Sequence, residues 1–203
     1  MPALLEALLQ ENGHNAQVFS VTCGARKLVD NITLQDEYSQ RLEELAQSHT
    51  FDCVFLQDQS LISIRDFERF KAGVTGLSEK LAPCARKFIL YATWGRKEGS
   101  PDLAPLGLTQ RTMTEQISAA YRQAASLIRA SIAPVGEAFA ALDEKLDLYN
   151  PDLSHPSYAG SCLAAVMLYT ALLGAPPKTC PAWQLDPDRF AAMAETAASL
   201  CGK

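Results

Sequence analysis

The chain has 203 residues, 48% of them hydrophobic and 20% charged, a balance that suits one soluble globular domain over residues 1–203 with a sizeable core. A net charge of −5 argues against a nucleic-acid-binding surface, and the basic residues gathered between Arg65 and Lys97 read as a solvated helix face. No apolar run reaches the length of a membrane span, and the N-terminus carries no basic region followed by an apolar core and a cleavage site. No partner membrane is expected, and compartment (cytoplasmic or exported) and oligomeric state stay open.

In chain order, Met1-Pro2 leads into a helix with Leu5, Leu8 and Leu9 on one face and Gly13 ending it. Gln17–Thr22 is short and β-branched, stops at Cys23-Gly24, and reads as a strand. Leu34, Tyr38, Leu42 and Leu45 mark a helix to Ala46, with Asp36 and Glu37 near its positive end. Phe51–Leu56 is a second strand, apolar as one covered on both faces is. Ile64, Phe67, Phe70, Val74, Leu77 and Leu81 predict one helix, weakened at Gly73 and Gly76. Lys87–Thr93 is the clearest strand, and a Gly- and Pro-bearing loop, Gly95–Gln110, follows it.

Thr112 and Glu115 make a capping box for a helix to about Ala130. Ser131–Val135 reads as a short strand confined by Pro134 to an edge or an end. A helix over about 136–146 leads to Tyr149–Gly174, where Asp152, His155 and Pro156 precede a long apolar helix pattern. Pro156 suits that helix's first turn, and the helix should lie flat on a core through Leu163, Val166, Met167, Thr170 and Leu173. A proline-rich connection and a last helix, Pro187–Leu200, complete the chain. Alternating strands and helices imply βαβ units, a parallel sheet, and a ligand site at the carboxyl ends of the strands.

Several chemistries lose their usual signal. Neither Gly-rich phosphate loop occurs, so no nucleotide cofactor is expected. The three histidines lie far apart and the six cysteines form no C-x-x-C pair, so no metal site is expected. Cys180 and Cys201 flank the last helix and are the pair placed to form a disulfide. What remains is Asp152 three residues before His155, where an aspartate can fix an imidazole's tautomer, together with polar residues just past strand ends. Those are Cys23-Gly24, Gln57-Asp58-Gln59-Ser60 and Trp94-Gly95-Arg96. Together they look like the base and oxyanion parts of an acyl-transfer site. An ordinary capped helix with a solvated Asp and His is the competing reading.

These residues carry a family resemblance. The order of elements, with D-x-x-H near the C-terminus before a helix, resembles the SGNH (GDSL-type) hydrolases, and more narrowly a bacterial branch of that superfamily. The resembling segments are PALLEALL, the Cys23-Gly24 turn, VFLQDQS (54–60), ILYATWGR (89–96), APVGEAF (133–139) and DLSHPSYAGSCLAA (152–165). The resemblance implies a three-layer α/β/α, flavodoxin-like parallel sheet of strand order 2-1-3-4-5. It also implies an esterase, lipase or carbohydrate deacetylase with a small-molecule or carbohydrate ester as substrate. His155 matches the general base, Asp152 its orienting partner, and Gly24 an oxyanion-hole glycine. The family's oxyanion asparagine has no Asn counterpart; Gln59, or less readily Gln57, occupies that region. Trp94 and Arg96 are placed to contact substrate, Trp94 by stacking on a sugar ring or else as part of the core.

One departure stands out. The superfamily's nucleophilic serine follows the first strand in a Gly-Asp-Ser or Gly-Asn-Ser turn, and neither tripeptide occurs here. The resemblance therefore implies an N-terminally truncated domain lacking its first strand. Such a gap would leave an apolar slot of roughly 4.8 Å between strands. Each buried unpaired backbone group would cost on the order of 1–3 kcal/mol, against about 5–15 in total. The expectation is poor stability, or pairing of strands that are not neighbours in the family. The functional expectation is an ester hydrolase whose serine is missing, with a catalytically inactive descendant or fragment acting as a binding module as the alternative. Cys23 and Ser60, just past strand ends, and Ser20 read as structural residues rather than replacement nucleophiles.

Overall fold

The computed structural model of the protein describes residues 1–202. The chain runs α1 (Pro2–Glu11), α2 (Asp30–Thr33), α3 (Glu37–Ser48), β1 (Val54–Leu56), α4 (Ser60–Arg65), α5 (Phe67–Leu81), β2 (Phe88–Tyr91), α6 (Gln110–Ile128), β3 (Ser131–Ala133), α7 (Val135–Leu142), α8 (Tyr158–Leu173) and α9 (Pro187–Cys201). A single 3-10 turn at Ala104–Leu106 interrupts the loop after β2. The strands form one sheet in the order β1-β2-β3. β1 and β2 run parallel, with Val54 opposite Phe88 and Leu56 opposite Leu90. Two compact units emerge, one made of residues 1–19, 94–116 and 133 onward, the other of residues 20–93 and 117–132.

In the second unit, the apolar strand expected over 51–56 keeps its ladder only from Val54, while Phe51 makes an isolated parallel bridge with Ala85. The helix expected through Ile64 and Leu81 is two helices. Asp66 ends α4 and caps α5, its side chain accepting the backbone N–H of Arg69 at 3.1 Å. α5 runs unbroken through Gly73, which lets the Leu28–Val29 backbone approach, since a Cβ there would lie 2.7 Å from Val29 N. Inside this unit Phe70 packs on Tyr121 with ring centroids 4.7 Å apart, both fully buried.

In the first unit α8 packs against α1, α7 and α9. Every residue of α8 from Ala159 to Thr170 except Ser161 is buried. It is thus a central helix enclosed all round, not one lying flat on a core with one face. Its N-cap is Ser157, whose Oγ accepts the N–H of Gly160 at 3.1 Å. Pro156 therefore stands ahead of the helix rather than in its first turn, and bridges antiparallel to Tyr149. Gly160 is required where it stands, because a Cβ would collide with the carbonyl oxygen of Leu148. The capping box also sits earlier than expected. Thr109 and Thr112 exchange backbone N–H to hydroxyl bonds at 2.9 and 3.1 Å, and α6 begins at Gln110. Glu115 instead pairs with Arg111 on the helix surface.

Gln17–Thr22 is a correction. The segment forms no strand. In the order 2-1-3-4-5 its sole neighbour would be the first strand, and β propensity without a ladder partner does not make a strand. Val18 instead donates its backbone N–H to Glu6 Oε2 at 2.7 Å. The three strands present pair in chain order, so the expected re-pairing of non-neighbours does not occur. All six cysteines are free, and Cys180 and Cys201 are not joined.

Candidate functional site

The loop Tyr149–Ser157 is a closed structure built almost wholly from local bonds. Asn150 N–H donates to His155 O at 2.8 Å, Leu153 N–H to Asn150 O at 2.9 Å, and Ser157 N–H to Leu148 O at 2.9 Å. Leu153 takes φ +57, the left-handed conformation that lets the chain turn this tightly. Within it, Asp152 Oδ1 accepts the backbone N–H groups of Ser154 (2.9 Å) and His155 (2.8 Å). The other oxygen, Oδ2, lies 2.7 Å from His155 Nδ1.

The electrostatics follow from these contacts. The backbone N–H of His155, then that of Ser154, then the imidazole itself hold the Asp152 carboxyl at a pKa of about 2. The carboxylate is thus ionised at neutral pH and fixes the hydrogen on Nδ1. Nε2 then carries the lone pair on an imidazole whose side chain is 75% exposed. The arrangement is an imidazole oriented by a carboxylate, on a side chain open to solvent.

Residues 94–97 run beneath that loop and hold it. Trp94 Nε1–H donates to Ser154 O at 3.0 Å. Lys97 N–H donates to Leu153 O at 2.9 Å. Gly95 is fixed from both sides, its N–H on Thr114 Oγ1 (3.3 Å) and its carbonyl accepting Tyr149 OH (3.0 Å). No larger residue fits there, since a Cβ would come 2.8 Å from Thr114 Oγ1 and 2.9 Å from Gln110 O. Trp94 is 9% exposed, with its ring stacked 4.4 Å from Phe139 at an 8° interplanar angle. Its place is in the packed interior. Arg96 donates through Nε to Asp102 Oδ2 at 3.1 Å and is also largely covered. Lys97 Nζ lies 3.5 Å from Asp143 Oδ1 and 5.7 Å from the centre of the Tyr149 ring.

The other candidate residues belong to the second unit. Gly24 is exposed in a turn closed by Arg26 N–H to Cys23 O, and Ala25 takes φ +60. Arg26 anchors this turn: its guanidinium donates to both carboxylate oxygens of Asp36 at 2.6 and 2.9 Å, to Asn31 Oδ1 at 2.8 Å and to Ser39 Oγ at 3.0 Å. Gln57 Nε2 turns onto Asp58 O at 3.4 Å. Gln59 is exposed at the N-cap of α4, where its side chain makes no cap bond.

Between the two glutamines lies a residue to which the sequence assigns no role of its own. Asp58 is 1% exposed. Its Oδ1 accepts Gln59 N–H at 2.8 Å and its Oδ2 accepts Leu28 N–H at 3.2 Å. Its own backbone N–H donates to the hydroxyl of Tyr121, which donates in turn to Asp58 O. Burial pushes this carboxyl above the usual aspartate range, against the pull of the two N–H groups. The only sequence signal was a charged residue directly after an apolar strand. Among the described residues no group of three or more His, Cys, Asp or Glu side chains is arranged to hold a metal ion.

A helix-rich chain around a three-strand parallel sheet, with an oriented Asp–His pair just ahead of a late helix, has the α/β/α architecture of the SGNH hydrolases. Solved structures agree. A candidate SGNH hydrolase from Slackia heliotrinireducens matches with a TM-score of 0.73 and 29% identity over 83% of this chain and 88% of its own. A DUF4886 family protein from Bacteroides uniformis matches with a TM-score of 0.66 and 20% identity, over 80% of this chain and 68% of its own. The acetylxylan esterase Axe2 of Geobacillus stearothermophilus shares the fold with a TM-score of 0.55 and 18% identity, over 85% and 76% of the two chains. No protein-family model matches the sequence, and no curated protein matches it. The chain has an SGNH hydrolase-like fold.

Proposed function

We propose that this protein is an SGNH-like ester hydrolase in which His155 is the general base and Asp152 the residue that orients it. The observation that carries this reading is the double contact of Asp152 with His155, through the backbone N–H and through ring Nδ1, on a side chain that is largely exposed. The nucleophile in this scheme is a serine that residues 1–203 do not supply in the Gly-Asp-Ser or Gly-Asn-Ser setting the chemistry uses.

The serine Oγ attacks the ester carbonyl carbon while its proton passes to His155 Nε2. Asp152 stabilises the imidazolium that forms. Negative charge collects on the former carbonyl oxygen, and the backbone N–H of Gly24 and the side-chain amide of Gln59 are the donors we assign to it. Gln57 is the weaker choice, because its amide is already turned onto Asp58 O. The intermediate collapses, the C–O bond breaks, and the alcohol leaves with the proton from His155. Water then repeats the sequence on the acyl-serine and releases the acid. For substrate we propose an O-acetylated carbohydrate, in keeping with the acetylxylan esterase among the neighbours of this fold. Arg96 is the candidate for a substrate contact.

The test is hydrolysis of p-nitrophenyl acetate and of acetylated xylo-oligosaccharides by protein extended at its N-terminus with a strand that ends in Gly-Asp-Ser or Gly-Asn-Ser, alongside its His155→Ala variant. Loss of the base should lower kcat/KM by roughly 10³–10⁴-fold. Equal rates from the two proteins would remove His155 from the mechanism. Absence of turnover together with saturable oligosaccharide binding would favour a binding module instead.

A further inference from the structure

We infer that residues 94–97 form a strap whose task is to position His155, with the Trp94 indole N–H as its key contact. The inference rests on the base role proposed for His155, but its geometry is separate from the chemistry. An aspartate can orient an imidazole only if the loop carrying both is itself fixed. The Asp152–His155 loop is exposed at Asn150, Pro151, Asp152 and His155. Its own bonds close it locally but tie it to nothing beneath. The ties come from the strap.

Two carbonyls of the loop, those of Leu153 and Ser154, point at the strap and are taken by Lys97 N–H and the Trp94 indole N–H. Ser154 is the residue immediately before His155, so the peptide plane that leads into the base is set by the indole. Each strap residue is in turn held from below. The Trp94 ring lies flat on Phe139, and Phe139 meets Tyr149 edge-on at 5.4 Å. Tyr149 OH returns to Gly95 O, while Thr114 and Met113 of α6 receive the N–H groups of Gly95 and Arg96. The Lys97 ammonium is drawn to Asp143, whose other oxygen accepts from Gln110 Nε2 at 3.1 Å.

This arrangement explains three residue types at once. Tryptophan supplies a flat apolar body for Phe139 together with a hydrogen-bond donor, which phenylalanine lacks. Glycine is the residue that fits against Thr114 and Gln110 O. Lysine adds a charge that Asp143 receives. A sugar-stacking tryptophan would instead show a ring face to solvent, and this one is 9% exposed. Trp94 is a positioning residue, acting on the base through the Ser154 carbonyl.

The test separates the indole N–H from the ring. Trp94→Phe keeps an aromatic body on Phe139 and removes the donor. Trp183→Phe is the control, because its buried indole nitrogen has no hydrogen-bond partner among the described residues. The readout is the ring ¹⁵N spectrum of His155 in the 203-residue chain, which reports the tautomer without requiring turnover. Wild type and Trp183→Phe should show the Nδ1–H form, and Trp94→Phe a mixture of the two tautomers. In protein carrying the serine segment, Trp94→Phe should lower kcat by roughly ten- to a hundred-fold while KM moves less than about two-fold.

A His155 spectrum unchanged in Trp94→Phe would overturn the inference. Should that variant fail to fold, the wild-type Trp94 indole N–H decides the matter: slow exchange with solvent supports the strap, and exchange as fast as free tryptophan overturns it. A wild-type protein that hydrolyses nothing would defeat the proposed function, while the tautomer spectra would still decide the strap.

Discussion

Asp152 holds His155 at two points, through the backbone N–H at 2.8 Å and through ring Nδ1 at 2.7 Å. One carboxylate therefore shapes the loop and orients the imidazole, so the two effects should be lost together as it is protonated. Its pKa of about 2 in the fold lies below the unfolded aspartate value of about 3.9. The stabilisation is present above about pH 4 and lost as pH falls towards 2. In an acid titration followed by NMR, the amide resonances of Ser154 and His155 should move together with a midpoint near 2. Asp152→Asn should remove that transition, and in serine-bearing protein should cut kcat by roughly 10⁴-fold, as expected when the imidazole loses its correct tautomer. Separate midpoints for the two amides would break the link.

Gly160 and Gly24 should respond in opposite ways to the same methyl group. A Cβ at Gly160 meets Leu148 O, the rim of Phe139 at 3.0 Å and Pro156 at 3.1 Å, whereas at Gly24 nothing lies within 4 Å. Gly160→Ala should destabilise the protein by about 1–3 kcal/mol in urea unfolding. Gly24→Ala should stay within about 0.5 kcal/mol and keep the backbone N–H assigned to the oxyanion. A stable Gly160→Ala protein would show that the start of α8 yields more readily than its packing implies.

Asp58 predicts a pH effect of the other sign. Burial raises its pKa above the ordinary value of about 3.9, so the folded chain holds this proton more tightly than the unfolded one. That contribution to stability is full below the ordinary aspartate range and falls as pH rises through the raised folded-state value. Asp58→Asn should remove this slope. The amide can accept only one of the two N–H groups that the carboxylate receives from Leu28 and Gln59, and the bond lost should cost roughly 1–3 kcal/mol. Stability curves of the two proteins between pH 4 and 7 give the comparison; parallel curves would contradict the assignment.

How much of this was legible in the sequence depended on how far apart the partners lie. Asp152 and His155 are three residues apart, and their contact follows from a turn that the local chain can make alone. The runs that became β1 and β2 are legible in the same way, through local composition. Trp94 is 60 residues from Ser154, and Asp58 is 30 from Leu28 and 63 from Tyr121. Nothing within a short window marks either residue as a tether, so Trp94 reads as a sugar platform or equally as core, and Asp58 as one polar residue among four past a strand end. Gln17–Thr22 failed for the same reason in reverse: its β-branched residues favour an extended chain, but a strand exists only with a neighbour to bond. The burial of α8 on every side was hidden by its uniformity. Its periodic apolar positions were visible, and the small residues between them, Ala159, Gly160, Ala164 and Ala165, are the ones that let it be buried on every side.

Cys23 offers a final discrimination, because a thiol beyond a turn is the strongest rival to an external serine. It is the one cysteine of the six that is exposed. Burial pushes Cys53 and Cys162 up to about 12, Cys201 to about 11, and the half-buried Cys180 above the usual thiol range, so these thiols are poor nucleophiles at neutral pH. Cys84 is buried, with its Sγ–H directed at Leu81 O. Titration with a disulfide reagent in the folded state should therefore show one fast thiol, and Cys23→Ser should abolish that phase. The Sγ of Cys23 points at Gly24 O, 3.7 Å away, and its other neighbours are the Tyr38 hydroxyl and the Arg26 guanidinium, not an imidazole. Reactivity towards a small reagent is thus expected without catalysis. In serine-bearing protein, p-nitrophenyl acetate hydrolysis by Cys23→Ser should equal wild type within about two-fold, the scatter expected for a surface substitution outside the mechanism. A fall as large as that of His155→Ala would make Cys23 the nucleophile and displace the serine from the scheme.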